Sequence, residues 1–134
     1  METPIVKIVL DKEWDKEVFT YFLDEKDSEY DFGDDRIISI HPQTATVREK
    51  NTEEKLAMIV PYVDNYYLVN QKALDDARRQ IETIWKPIEP EYFLELEKIF
   101  GPLDFYKSSE ITAALSITKA GVIGADNASF QIWY

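Results

Sequence analysis

The sequence predicts a single α+β domain spanning 1–134, with an antiparallel sheet of about four to six strands and two or three helices packed on one face. Three observations lead there. Short β-rich runs with alternating apolar residues recur at Pro4–Leu10, Arg36–Ile40, Ala45–Glu49, Tyr66–Val69, Ile111–Thr118 and Phe130–Tyr134. Two longer segments, 72–86 and 90–100, repeat their apolar residues at helical spacing instead. The chain also has the length of one domain and holds neither an internal repeat nor a linker that would divide it.

Ile5, Lys7 and Val9 alternate with Val6, Ile8 and Leu10, which predicts the first strand. Asp11 has the chemistry of a helix N-cap, and Glu13 and Asp15 fall in the first turn, where the helix dipole favours negative charge. Trp14, Val18, Tyr21 and Phe22 then define the core face of a helix over Lys12–Leu23. Arg36–Ile40 and Ala45–Glu49, joined by the turn His41-Pro42-Gln43-Thr44, read as a hairpin. Asn51 and Glu54 match a capping box, opening a helix over Thr52–Val60 that Pro61 stops, although its LAMIV segment reads equally as a buried strand. The turn-prone pair Asp64-Asn65 sets off a strand at Tyr66–Val69.

Leu74, Ala77, Ile81, Ile84 and Trp85 form the apolar face of the next helix, ending before Pro87, with Asp75, Asp76, Arg78, Arg79 and Glu82 mostly opposite. Pro90 suits the first turn of another, whose stripe of Phe93, Leu96, Ile99 and Phe100 closes at Gly101-Pro102. Ile111, Ala113, Leu115 and Ile117 alternate with Thr112, Ala114, Ser116 and Thr118, the pattern of a strand with one face buried and one wet or lightly covered. Phe130, Ile132 and Tyr134 bury one face of the last strand and leave Gln131 and Trp133 opposite.

Composition narrows function. With no cysteine, the chain has no disulfide, thiolate metal site or cysteine nucleophile. Its first residues, METPIVKIVL, carry no basic leader, and no run approaches the roughly 20 apolar residues of a membrane span, so it reads as cytoplasmic. The net charge of -11 is uneven: residues 1–35 hold twelve Asp or Glu against four Lys, whereas 36–134 hold fourteen against eleven Lys or Arg. A field of that sign repels phosphate backbones and anionic lipid, and attracts basic surfaces.

The excess peaks in DEKDSEYDFGDD, residues 24–35, with seven carboxylates and one lysine. An EF-hand starting at Asp27 would need glycine where Phe32 stands and glutamate where Ile38 stands, so no metal is assigned. If the stretch is extended, Asp27, Glu29 and Asp31 project from one side and Ser28, Tyr30 and Phe32 from the other. We therefore assign partner binding to Asp24, Glu25, Asp27, Glu29, Asp31, Asp34 and Asp35, with Tyr30 and Phe32 as anchors. The bland reading is a charged, solvated loop.

Other residues offer weaker chemistry. His41, the lone histidine, sits beside proline in a predicted turn and reads as a surface residue. No nucleophile motif surrounds any serine. Glu91 and Glu95 share a helix face, but the opposite stripe of Phe93 and Leu96 makes theirs the solvated side. Gly121-Val122-Ile123-Gly124 lacks the Lys-Ser/Thr ending of a phosphate loop, and Arg78-Arg79 is offset by helical pairs such as Asp75 with Arg79 and Glu82 with Lys86.

The sequence thus predicts a binding protein, not an enzyme, with no cofactor: an acidic inhibitor of immunity or antitoxin type that occludes a basic, nuclease-like toxin. Two alternatives stand beside it, a phage-type nucleic-acid mimic acting on a host DNA-binding protein and a small α+β enzyme using Glu91, Glu95 or His41. A third is an assembly subunit that pairs, with itself or another chain, through its C-terminal strand ASFQIWY.

Overall fold

A computed structural model describes residues 3–24, 37–102, 110–118, 122–124 and 129–133. The chain runs through β1 (Ile5–Leu10), α1 (Lys12–Asp24), a 3₁₀ helix (Pro42–Glu49), α2 (Thr52–Val69), α3 (Gln71–Trp85), α4 (Glu89–Phe100), β2 (Glu110–Ser116) and β3 (Ser129–Trp133). The described strands form one sheet in the order β1-β2-β3, and both pairings are parallel.

This architecture corrects the predicted antiparallel sheet of four to six strands. Residues 37–40 are helical, Pro42–Glu49 is 3₁₀, and Tyr66–Val69 is the end of α2, so three of the predicted strands and their hairpin do not exist. The strands that remain are joined only by long connections, the requirement for parallel pairing. The helices also cover both faces. Asp15 of α1 reaches Ser116 and Gln131 on one face. Trp85 and Phe93 pack with Val6, Ile111 and Phe130 on the other. Ala114 and Ser116 are consequently as buried as Ala113 and Leu115, and the wet face expected of β2 is absent.

Local signals explain the elements that were read correctly. The Asp11 Oδ1 accepts the Trp14 N–H at 3.0 Å, capping α1. The buried face of that helix is Asp15, Val18, Phe19 and Leu23, while Tyr21, placed in the core by periodicity, is 61% exposed. Asn51 caps α2 by accepting the Glu54 N–H at 2.9 Å.

Pro61 does not stop this helix. Proline removes one hydrogen bond to the carbonyl four residues earlier, but Lys55, Ile59 and Val63, spaced by four, are buried on both sides of it. Burial of that stripe outweighs the local defect. The buried Lys55 Nζ donates to the Leu23 carbonyl at 3.0 Å, tying α2 to the end of α1.

The main core cluster joins Phe19, Leu23, Ile37, Val47, Ile59, Val63, Leu74 and Ile117. A smaller one, centred on Phe93 and Ile111, lies where α3 and α4 meet the sheet. At the far side of the sheet Val122–Gly124 runs back along β3: Gly124 N–H donates to the Ser129 carbonyl and Gln131 N–H to the Val122 carbonyl, each at 2.8 Å. The C-terminal strand therefore has neighbours on both edges over Ser129–Gln131.

Gly101 ends α4 at φ 79° and ψ -165°, a region that residues with a Cβ rarely enter. A Cβ placed there would meet no atom within 4 Å, so the cost of substitution is purely backbone strain. Gly101→Ala should lower unfolding free energy by about 1–3 kcal/mol in urea titrations; an unchanged midpoint would contradict this backbone assignment.

Candidate functional site

The acidic stretch assigned from sequence starts at the last residue of α1, Asp24. Glu25, Asp27, Glu29, Tyr30, Asp31, Phe32, Asp34 and Asp35 lie outside the described residues. Both flanks of this stretch are among the described residues. Leu23 before it and Ile37 after it are both buried in the main core cluster, so the chain leaves and returns to one place in the fold.

The nearby charges of α1 belong to other tasks. Lys16 bridges Glu13 at 2.9 Å and Asp64 at 2.8 Å, and Lys12 joins Asp64 at 3.2 Å. These hydrogen-bonded lysines hold the Asp64 carboxyl below its ordinary range.

Asp15 is not a surface acid at all. It is fully buried at the C-terminal end of β2, and four donors converge on its carboxylate. Ser116 Oγ donates to Oδ1 at 2.6 Å and Gln131 Nε2 at 3.1 Å; Ile117 N–H donates to Oδ2 at 3.3 Å, as does the Tyr67 hydroxyl. Thr118 completes the cluster, 2.8 Å from Ser116 Oγ through its own hydroxyl.

Burial pushes the Asp15 carboxyl above its ordinary 3.8, and the four donors only partly offset that. The Tyr67 hydroxyl is pushed up as well, by burial first and then by the adjacent carboxylate. The cluster joins α1, α2, β3 and the end of β2 through one side chain.

His41, expected at the surface, is 1% exposed. Its Nε2 lies 2.7 Å from the Ile117 carbonyl, which can only accept, so that nitrogen carries the proton. Nδ1 must then accept the Tyr62 hydroxyl proton at 2.7 Å. The ring packs tilted against Phe19 and edge-on against Tyr66, with centroids 5.1 and 4.9 Å apart. Burial lowers its pKa below 6.5, with the Ile117 carbonyl pulling partly the other way. The ring floors a crevice of about 220 Å³ with Gln43, Tyr62 and Asn65 around it, but neither nitrogen is free to act as base or ligand.

Glu91 and Glu95 are exposed on α4, and Glu95 pairs with Lys98 at 2.6 Å, so neither meets His41. Asp75 with Arg79 and Glu82 with Lys86 form the helical pairs read from sequence. Among the described residues, no three His, Cys, Asp or Glu side chains form a group able to hold a metal ion, and no helix is long and apolar enough to cross a membrane.

The residue that sequence reasoning missed is Asp15. Its signal was present, because position 15 extends the stripe of Val18, Phe19 and Phe22 by one helical turn. The sequence matches no protein-family model, and no curated protein or solved structure matches it.

Two measurements check these assignments. Because burial raises the Asp15 pKa in the fold, the stability it contributes is full below pH 3.8 and declines as pH rises through the raised folded value. Asp15→Asn, which keeps one acceptor oxygen for its donors, should be tolerated better than Asp15→Ala, which strands several of them at about 1–3 kcal/mol each. Equal losses in chemical denaturation would sink that reading. For His41 the sign is opposite: the unfolded chain takes up the proton first, so stability falls as pH drops below 6.5. Wild type should lose up to about 1.4 kcal/mol per pH unit there relative to His41→Gln; parallel pH profiles for the two proteins would contradict it.

Proposed function

We propose that this chain is an acidic protein-binding inhibitor, of the kind that neutralises a basic, nuclease-like toxin by filling its phosphate-binding cleft with carboxylates. The observation that carries the reading is the density of residues 24–35, seven carboxylates to one lysine, on a segment both of whose flanks enter the same core cluster. Acids confined to one tether point concentrate negative potential, and such a field accelerates capture of a positive surface. Asp27, Glu29 and Asp31 serve as the charged comb, flanked by Asp24, Glu25, Asp34 and Asp35, with Tyr30 and Phe32 as anchors.

The disposition of the remaining titratable groups supports binding over catalysis. Asp15 and His41 are engaged by their neighbours, Glu91 is exposed, and Glu95 is exposed and paired with Lys98. In this reading the protein acts in the cytoplasm, where it meets the toxin before nucleic acid is cut.

The test pairs wild type with a triple variant, Asp27→Asn, Glu29→Gln and Asp31→Asn, in capture from the native host at low salt followed by kinetics on the captured partner. We expect a basic nuclease domain that elutes as salt rises, is inhibited by wild type, and associates at least about tenfold more slowly with the triple variant. Binding that ignores both salt and the three substitutions would overturn the proposal.

A further inference from the structure

A second candidate site is lined by none of the acids considered above. Between the sheet and the helices α3 and α4 there is a cleft of about 540 Å³. Its floor is Ile8, Ala113 and Phe130, adjacent residues across the three strands in register. Its wall is Trp85, Tyr92 and Phe93, packed edge to face with ring centroids 5.2 to 6.3 Å apart. The volume falls within the range of small-molecule sites, which are mostly apolar with a few placed polar groups.

From this geometry we infer that the cleft binds one uncharged, largely apolar small molecule carrying a hydrogen-bonding group at one end. Space exists because Ala113, the smallest floor residue, stands opposite the aromatic wall at the centre of the sheet. The wall is held in place before any ligand arrives: Glu89 Oε1 accepts the Trp85 indole N–H at 2.9 Å and the Val6 N–H at 2.5 Å, fixing α3, α4 and the outer edge of β1 to one another. Mutual packing of the three rings restricts their rotamers further, so little ordering remains to oppose binding.

The chemistry of the occupant follows from the lining. Among the described residues, no side chain lining the cleft is charged, so an ion entering there would lose hydration without gaining a partner from them. The net charge of -11 adds a field that repels anions in particular, which separates a neutral alcohol from a fatty-acid anion of the same length. The Tyr92 hydroxyl supplies the polar contact, since the Trp85 N–H is already committed to Glu89.

The test uses the neutral fluorophore N-phenyl-1-naphthylamine with the full chain, displaced by dodecanol or by dodecanoate. We expect saturable binding of one probe per chain, displacement by dodecanol at lower concentration than by dodecanoate, and at least about tenfold weaker probe binding in Ala113→Leu, which fills the floor. Ile81→Trp, which narrows the cleft from its α3 side, gives the same reading if Ala113→Leu does not fold. Val69→Asp, on an exposed apolar residue outside the cleft, should bind the probe as wild type does. Unsaturable binding, full affinity in the filled variants, loss in Val69→Asp, or preferential displacement by dodecanoate would each overturn the inference.

Discussion

One buried carboxylate holds together parts of this chain that are far apart in sequence. Asp15 accepts from Tyr67, Ser116, Ile117 and Gln131, partners 52 to 116 positions away, and so links α1, α2, β2 and β3 at a single point. Apolar contacts alone tolerate sliding, because many packings bury similar area. Four donors converging on one buried carboxylate do not, since any shift strands a donor without water to replace its partner. The position of α1 over the sheet, and with it the flank of the acidic stretch, is therefore set by this contact. His41 performs a parallel task on the other side of Ile117, bonding its carbonyl and fastening α2 through Tyr62.

Much of the helical part of the fold was legible from residues. Asp11 and Asn51 are caps in the structure as in the sequence, and α3 follows the stripe of Leu74, Ile81 and Trp85. The errors share a cause. Ile37–Ile40, Ala45–Val47 and Tyr66–Val69 are short runs of residues that fit strands well, and β propensity reports suitability for a half-buried surface more than a backbone preference. In Tyr66–Val69 that surface is missing: Leu68 and Val69 are more than 70% exposed at the end of α2. Once those strands are removed, the long connections that remain permit parallel pairing, but no local signal could have removed them.

The candidate sites divide in the same way. The acids from Asp24 to Asp35 are visible in any reading of composition, whereas the cleft is not, because its floor and wall are ordinary core residues until the distance between sheet and helices is known. Asp15 and His41 were misread for a third reason. Each looks conventional beside its own neighbours, a first-turn acid and a histidine before proline, and becomes a core residue only through partners brought by β2, about a hundred and about seventy-six positions later.

The parallel pairing of β1 with β2 has a temporal consequence. A strand at Ile5–Leu10 finds its partner only at Glu110–Ser116, so a loop of about a hundred residues must close before the ladder can zip. Phe19, Leu23, Ile59, Val63 and Leu74, by contrast, come from neighbouring segments and can cluster early. Contact separation thus favours a helical layer that clusters before the strands pair, and until they pair the Val6–Leu10 backbone is an open edge for association between chains at high concentration.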